Sequence, residues 1–317
     1  MEPQRESAKS YAKKIGRAAL PLTIGLGLLL SGCGSEDLTG TQQLTYDGST
    51  IEVPKKAERI LFEWTSFPLE DAMALDVKVS AVPEDGGGHY AGVVADYAKD
   101  AEKIDTDDMD AVRAYDPDAI IMMGLDNTEH IRELSKVAPV ILAGGPGVDW
   151  KENLRMMAAL TAQKKKGEKL IADYEKDAEA LVKKWNPNRD KKAVYLLSQD
   201  EGGTKFKVVP GSVIPTLYQD LGFQYPVKSE ERTPMLTLDQ LAKIDPDYIF
   251  MDGPWLYQGQ SKADTLDLLG QDAKWQNLRA FKDGHLHLGA LFEEGLSGTE
   301  SYSRMYLLKR IGEELSS

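Results

Sequence analysis

The sequence predicts an α/β protein with two similar Rossmann-like lobes, joined by one long connecting α-helix, and a ligand cleft between the lobes. A thirteen-residue unit occurs twice, at 110–122 and 239–251, with six identical positions. Each copy has the pattern of a short helix followed by a buried strand. Strands and helices alternate through both halves, which is typical of mostly parallel sheets with helices on both faces. Ligands of bilobed chains usually bind where loops of both lobes meet.

Five segments can be distinguished along the chain. We expect a signal peptide at 1–32, a polar tether at 33–43, an N-terminal lobe at 44–161, a connecting helix at 162–186 and a C-terminal lobe at 187–317. The 317 residues suffice for two full-sized cores, and 42% hydrophobic with 28% charged residues is ordinary for a soluble globular protein. This composition argues against a disordered chain or a membrane protein with several spans.

The N-terminal segment has the pattern of a secretory signal. Five basic residues accompany an apolar run at 18–30, and this run is shorter than the roughly 20 residues that span a bilayer. The run ends in Leu30-Ser31-Gly32-Cys33, and Cys33 is the only cysteine of the chain. Small residues before such a cysteine resemble the bacterial lipobox, in which the cysteine becomes a lipidated N-terminus. The alternative is a plain signal or short anchor with an incidental cysteine.

In the N-terminal lobe, a hairpin at 44–53 comes before the alternating elements. Strands are expected at 59–62, 77–82, 119–123 and 140–143, and helices at 68–75, 92–100, 129–137 and just before 116. Residues 149–185 have a helical pattern that breaks near Thr161. The second piece, Gln163–Trp185, measures about 34 Å at 1.5 Å per residue, which is enough to connect two lobes. A stiff connector predicts only modest closure of the lobes.

The C-terminal lobe repeats this scheme. Strands are expected at 193–197, 206–209, 248–251 and 285–288, with helices ending near 221, starting after 237, and running from about 300 to 315. In both repeat copies the residue before a proline disfavours the helical region, so Asp116 and Asp245 are expected to end their helices. The segment Thr237–Gln240 has the form of a capping box, and Asp107 or Asp108 can cap the helix of the first copy.

Taken in order, these features resemble the cluster of ABC-importer substrate-binding proteins for ferric siderophores, haem and cobalamin. Further matching landmarks are Ile60–Phe62, the segment Trp275–His287 and the late helix after Gly298. The likeness covers nearly everything from Cys33 onward and is greatest to the siderophore-binding lipoproteins of Gram-positive bacteria. It implies a monomeric, lipid-anchored receptor on the outer face of the bacterial cytoplasmic membrane. Such a receptor delivers an Fe(III)-siderophore to an ABC permease with its ATPase, has no cofactor and performs no chemistry.

The resemblance also implies where the permease docks. In this family a glutamate of each lobe docks onto arginines of the permease, and it lies at the start of the helix that precedes each Pro-Asp. The matching positions here are Asp110 and Asp239, whose side chains are one methylene shorter than glutamate. The alternative is structural, because a carboxylate in the first turn stabilises a helix by about 0.3 to 1 kcal/mol through the helix dipole.

Loops that follow the carboxyl ends of the strands are the expected ligand contacts. In the two lobes these loops contain Trp64, His89, Tyr90, Met123, Lys205, Arg232, Trp255, Tyr257 and Phe292. Aromatic side chains suit the large, partly apolar surface of a ferric siderophore, and a few cations suit its iron-bound oxygens. Alternatives remain for some of them: Trp64 and Trp255 as packing residues, His89 as a surface residue, and Arg232 in a local ion pair.

The same loops contain few arginines and lysines, whereas a triply negative ferric catecholate would require a cluster of them. The sequence therefore favours a neutral or cationic ferric hydroxamate, with haem or cobalamin as the alternative within the same cluster. Removing residues 1–32, with five basic and two acidic side chains, changes the net charge from −13 to −16, which disfavours nucleic acid as a partner.

Two other classes of function were weighed against the receptor. A direct metal site is not expected, because the four histidines have no short zinc-like spacing, and the acidic run at 105–110 lacks the glycine and glutamate of an EF-hand. A two-lobed α/β enzyme remains an alternative, since the fold does not fix the function. The sequence contains no nucleophile elbow, no phosphate loop and no dinucleotide fingerprint, and the glycines at 86–88 are interpreted as a flexible turn.

Overall fold

The computed structural model describes residues 38–63, 67–84, 91–122, 128–143, 149–200, 202–231, 233–252, 261–289, 291 and 295–316. These residues form two compact α/β units. Unit 1 contains the described residues within Met1–Tyr90 and Tyr97–Glu168, and unit 2 contains those within Ala91–Asp96 and Lys169–Ser317. The α/β class with two similar units is thereby confirmed. In the described part of the chain, no helix has both the length and the apolar character that a membrane span requires.

Unit 1 begins with an antiparallel hairpin of β1 (Thr41–Tyr46) and β2 (Ser49–Pro54). Asp47 and Gly48 connect the strands with φ angles of 44° and 73°, as a two-residue turn with positive φ at both positions requires. The hairpin starts three residues earlier than the sequence indicated. Its first strand is held by Gln42, whose side-chain amide donates to the carbonyl oxygen of Ala159 at 3.0 Å.

The sheet of unit 1 is entirely parallel. Its strands are β3 (Ile60–Glu63), β4 (Ala81–Pro83), β5 (Glu102–Ile104), β6 (Ala119–Met122) and β7 (Val140–Leu142), in the order β5-β4-β3-β6-β7. The intervening and following helices are α1 (Phe67–Ala74), α2 (Gly92–Ala98), α3 (Met109–Tyr115), α4 (Thr128–Leu134) and α5 (Trp150–Leu160), and most of α2, at 92–96, belongs to unit 2. The central strands β3 and β6 are buried along their whole length, as expected for strands that are covered on both faces.

The helical segment breaks where the sequence predicted. After α5, Thr161 ends the helix and Ala162 adopts a positive φ of 57°, so that α6 (Lys164–Trp185) starts in a new direction. A Cβ atom on Gly167 would lie 2.8 Å from the Cβ of Ala158, which shows that α5 and α6 pack in direct contact there. Helix α6 begins in unit 1 and continues through unit 2, consistent with a single connecting helix.

Three lysines open α6, and two of them have partners. The Lys166 ammonium group donates to the Leu75 carbonyl oxygen and the Asp76 carboxylate, both at 2.6 Å, while Lys164 donates to Gln42 at 3.1 Å. The lysine run therefore anchors the start of the helix to unit 1.

Unit 2 has a mixed sheet. Its strands are β8 (Ala193–Ser198), β9 (Lys205–Val208), β10 (Met235–Thr237), β11 (Tyr248–Asp252) and β12 (Leu286–Leu288), in the order β10-β9-β8-β11-β12. Strands β8, β11 and β12 are parallel, but β9 runs antiparallel to both of its neighbours. The connection from β8 to β9 spans only residues 199–204, whereas a parallel crossover needs a dozen residues or more. The second unit therefore copies the first only in part.

The helices of unit 2 are α7 (Leu238–Ile244), α8 (Lys262–Leu269), α9 (Ala273–Asn277), α10 (Arg279–Lys282) and α11 (Ser301–Glu314), together with a π-helical turn at Thr216–Asp220 where the sequence suggested an ordinary helix. One face of the sheet packs around Trp275, which is fully buried and meets Phe206 edge-to-face at 5.8 Å. The Trp275 indole N–H donates to the carbonyl oxygen of Gly203 at 3.0 Å, so its polar atom is satisfied within the core.

On the opposite face of this sheet, a buried polar network fixes α6 within unit 2. The hydroxyl of Tyr174 on α6 donates to the Asp220 carboxylate at 2.5 Å, and Arg304 of α11 binds the same carboxylate oxygen at 2.6 Å. Burial in turn raises the pKa of Tyr174, an effect that the Asp220 charge reinforces. Because Arg304 and Tyr174 are both buried, each polar group needs its partner and the network holds three elements in register.

Candidate functional site

Both repeat copies form the same helix end. Asp116 ends α3 and Asp245 ends α7, in each case in the left-handed conformation, with φ angles of 55° and 43°. Aspartate tolerates this region better than most residues, and the proline that follows cannot continue the helix. The expectation that these residues end their helices is confirmed, and strands β6 and β11 begin three residues later.

The second aspartate of each Asp-Pro-Asp unit accepts hydrogen bonds from the main chain just before a central strand. Asp118 accepts hydrogen bonds from the main-chain N–H groups of Glu58 and Arg59, at 2.7 and 2.9 Å, just before β3. Asp247 accepts one from the N–H of Lys192 at 2.9 Å, just before β8. Conservation of the motif between the two copies thus has a structural cause, which the sequence alone did not supply.

The other ends of α3 and α7 carry the two aspartates expected to dock the permease. Asp108 caps α3, and Thr237 with Gln240 forms the expected capping box at α7. Asp110 and Asp239 therefore lie in equivalent first turns. Since each helix runs back against the strand that follows it, both first turns lie toward the edge of the sheet where the parallel strands end.

The two first-turn carboxylates differ in their partners. Asp110 is 91% exposed and pairs with Arg113 of its own helix at 2.6 Å. Asp239 is 66% exposed and pairs at 2.7 Å with Lys274 of α9, whose hydrogen bond and positive charge hold the pKa of Asp239 below its ordinary value. Both side chains are accessible to a partner protein, but in unit 2 the negative charge already has a cation from another helix.

Of the nine residues expected to contact a ligand, Lys205 is the one that the structure describes. Trp64, His89, Tyr90, Met123, Arg232, Trp255, Tyr257 and Phe292 lie outside the described residues, as does Cys33. Strands β3 and β6 end at Glu63 and Met122, so Trp64 and Met123 do follow parallel strands directly along the chain. Their roles in ligand binding stay predictions.

Lys205 lies where the sequence placed it, at the carboxyl end of β8. It is exposed and is the first residue of β9, and its carbonyl oxygen accepts a hydrogen bond from the N–H of Gln199 at 2.9 Å. The loop before it is organised by Asp200. Burial alone would raise the pKa of Asp200, but hydrogen bonds from Thr204 and Lys205 lower it below the ordinary value.

A buried pair of titratable side chains lies at the same edge in unit 1. Glu63 is the last residue of β3, its side chain is fully buried, and its Oε1 lies 2.5 Å from Nε2 of His130 in α4. Burial raises the pKa of Glu63, although the hydrogen bond and charge of His130 and a hydrogen bond from Thr106 act against that rise. Sequence reasoning did not identify this pair, because a single sequence gives no sign that residues 63 and 130 meet.

Acidic residues predominate where the parallel strands end. The described members in unit 1 are Glu63, Glu84, Asp105 and Asp107, and in unit 2 they are Asp200 and Asp252. We call these six residues the acidic strand ends. In unit 2, Lys205 lies beside the carboxyl end of β8, one residue before Phe206, which pairs with Ser198. Among the described residues, no cluster of three or more histidine, cysteine, aspartate or glutamate side chains could hold a metal ion.

The family of the chain is decided by its sequence profile. The profile of the periplasmic binding protein family matches residues 64–289, which include both repeat copies. The chain belongs to this family. It is a binding protein rather than an enzyme, and the resemblance to substrate-binding proteins that the sequence landmarks indicated is confirmed.

Curated relatives of this family member match along nearly its whole length. The iron-uptake system-binding protein of Bacillus subtilis (strain 168) is 28% identical over 327 residues, which cover 96% of this chain and 99% of the relative. The iron(3+)-hydroxamate-binding protein FhuD of the same organism is 26% identical over 317 residues, covering 90% and 94% of the two chains.

Solved structures match the fold. The crystal structure of the iron-uptake system-binding protein FeuA of Bacillus subtilis has a TM-score of 0.65 at 26% identity, covering 86% of this chain and 100% of that one. FeuA in complex with ferri-bacillibactin, described as a triscatecholate siderophore-binding protein, has a TM-score of 0.57 at 26% identity, with 87% and 98% covered.

Proposed function

We propose that this family member is the extracytoplasmic receptor of an iron-siderophore ABC importer and that it binds a ferric hydroxamate. The observation that carries the proposal is the similarity to an iron-uptake system-binding protein over 96% of the chain. The two units of the fold, each with strand ends and loops at one edge of a parallel or mixed sheet, agree with such a role.

The choice of ligand class rests on charge, because the relatives include receptors of both kinds. One is a hydroxamate-binding protein and another binds the triscatecholate ferri-bacillibactin. A triply negative complex would be repelled by the exposed carboxylates among the acidic strand ends, which are Glu84, Asp105 and Asp107. A neutral or cationic ferric hydroxamate avoids this repulsion, and its apolar surface suits the aromatic residues Trp64, Tyr90, Trp255, Tyr257 and Phe292.

Calorimetric titration of the purified chain with a panel of iron chelates tests the proposal. We expect a ferric trihydroxamate to bind with a Kd of about 1 μM or tighter, and ferric triscatecholates at least about tenfold more weakly. Haem and cobalamin serve as controls from outside the siderophore class. Tightest binding to a catecholate would overturn the hydroxamate preference, whereas no binding to any iron chelate would overturn the receptor itself.

The proposal includes a lipid anchor at Cys33 on the outer face of the cytoplasmic membrane. It is supported by the small residues before this cysteine and by a relative of 23% identity that is described as a probable siderophore-binding lipoprotein. In cells fed a labelled fatty acid, the wild-type chain should carry the label and Cys33→Ala should not. Equal labelling of both proteins would contradict the anchor.

The proposal also includes delivery to a permease through Asp110 and Asp239. It is supported by their exposed, equivalent positions at the starts of α3 and α7. Replacing both by alanine should abolish siderophore uptake in cells while leaving the Kd of the purified protein unchanged. Glu129→Ala, which removes an equally accessible carboxylate from the first turn of α4, is the matched control. A change in ligand affinity of the double variant would contradict a docking role.

A further inference from the structure

The hydrogen bond between Glu63 and His130 joins the end of β3 to the start of α4 in unit 1. Glu63 ends β3, the middle strand of the sheet, and His130 is the third residue of α4, which comes after β6. Strands β3 and β6 pair in parallel, so both end at the same edge. The chain leaves each strand here, through residues 64–66 after β3 and 123–127 after β6.

A carboxyl group is energetically unfavourable at this buried position. A buried carboxyl group is unfavourable unless it is well bonded, and an apolar side chain of similar size would fill the space without that penalty. Glu63 keeps one oxygen bonded to His130, while its Oε2 is buried and has no hydrogen-bond partner among the described residues. The groups that face Glu63 are His130 from α4 and Thr106 and Asp107 from the segment before α3. The contacts with His130 and Thr106 are the polar contacts that a carboxyl group adds at this point, and the bond to His130 is the one that joins β3 to α4.

We infer that Glu63 and His130 are a positioning pair for ligand binding, in which their hydrogen bond fixes the start of α4 relative to the end of β3. This inference rests on the proposed function, since it assumes that the ligand binds at this edge. The pair acts by holding β3 and α4 in place and does not touch the ligand itself. Its effect should therefore be independent of the charge of the ligand.

The burial of both side chains favours a positioning role over direct contact with the ligand. The Glu63 side chain is fully buried and the His130 side chain is 16% exposed, so neither offers a surface to a large ferric complex. A direct contact by the Glu63 carboxylate would favour a cationic ligand over a neutral one. Two ferric trihydroxamates that differ only in charge therefore distinguish the two roles.

The test uses four variants of the full chain. Glu63→Gln keeps an oxygen that can accept from His130, whereas Glu63→Leu keeps the approximate size without an acceptor. His130→Leu removes the other partner, and Glu129→Gln alters the exposed neighbour of His130 as a control. Circular dichroism establishes that each variant is folded, and calorimetry gives the Kd for ferrioxamine B, which carries a protonated amine, and for its neutral N-acetyl derivative.

We expect both leucine variants to bind about tenfold more weakly, by the same factor for both probes, since a buried hydrogen bond is lost. Glu63→Gln and Glu129→Gln should stay within about threefold of the wild type. Unchanged affinity of a folded leucine variant would overturn the inference, as would a loss confined to the cationic probe. If Glu63→Leu does not fold, His130→Leu carries the same test. Failure of the wild type to bind any iron chelate would instead refute the proposed function.

Discussion

The two Asp-Pro-Asp copies share a backbone but not a set of partners. In unit 1, Asp118 acts on the main chain alone, through two N–H groups. In unit 2, Asp247 accepts a single main-chain hydrogen bond and a second one from the guanidinium of Arg279 at 2.9 Å. Asp118 is partly exposed, whereas Asp247 is 7% exposed.

The repeated sequence therefore determines the turn between helix and strand in both copies, but it does not determine which groups stabilise the second aspartate. In both copies the helix ends in the same left-handed turn, and the second aspartate reaches the residues just before a central strand. How the carboxylate is stabilised is decided by neighbours outside the repeat. Arg279 belongs to α10 of unit 2, while in unit 1 Arg59 binds the main-chain carbonyl of Asp116 and stacks over Tyr115 at 4.4 Å.

The largest expected effect is a difference in stability between a variant of Asp247 and a variant of Asp118. Asp247→Ala should lower the free energy of unfolding by about 2 to 3 kcal/mol, because it leaves the partly buried N–H of Lys192 without its partner and removes one of the two carboxylates that bind the Arg279 guanidinium. Asp118→Ala removes two bonds that water can partly replace and should cost about 1 kcal/mol. Urea unfolding of both variants at neutral pH measures the difference. Equal losses would show that the extra cation of unit 2 contributes nothing.

A smaller effect should appear on acidification. Burial alone would raise the pKa of Asp247, but the Lys192 N–H, Arg279 and Lys191 together hold it below the ordinary value. Its contribution to stability is therefore present above the pKa of an unfolded aspartate, about 3.9, and is lost as pH falls from there through the folded pKa. Between about pH 5 and pH 3, Asp247→Asn should lose stability less steeply than the wild type. Parallel curves would contradict this.

The smallest effect concerns the left-handed residues. Glycine adopts this conformation without strain, so Asp116→Gly should change the free energy of unfolding by less than about 0.5 kcal/mol. Asp245→Gly should lose about 1 kcal/mol, because the Asp245 carboxylate accepts from the Arg279 N–H at 2.8 Å and from its guanidinium at 3.2 Å. Thermal unfolding of both variants measures the difference, and a stabilised Asp245→Gly would count against the role of Arg279.

Local patterns predicted much of the fold. The caps of α3 and α7, the break after α5 and the hairpin all depend on neighbouring residues, whose conformational preferences a sequence displays directly. Strands β5 and β10, each of three residues, were missed because polar residues interrupt them, whereas β7, which is equally short, is a wholly apolar run and was predicted. The direction of β9 was also missed, since it depends on a short loop and on pairing with a distant strand.

The candidate site was predicted less completely, for a related reason. Loops after strands can be found from strand patterns, and the position of Lys205 beside the end of β8 was predicted in this way, while its contact with a ligand stays a prediction. Glu63 ends an apolar strand and looked like the beginning of a loop, yet it is buried because His130, 67 positions away, binds it. A sequence shows that a charged residue needs a partner when it is buried, but not which distant residue supplies one.

The complete burial of Trp275 determines its fluorescence. An indole that is fully enclosed and hydrogen-bonded to a main-chain carbonyl emits at short wavelength and is shielded from dissolved quenchers such as iodide. Its emission should shift to the red only when the core of unit 2 opens. Trp150, which is 4% exposed, is likewise buried in unit 1. The chain has five tryptophans, so a variant that keeps only Trp275 and another that keeps only Trp150 would report the unfolding of unit 2 and of unit 1 separately.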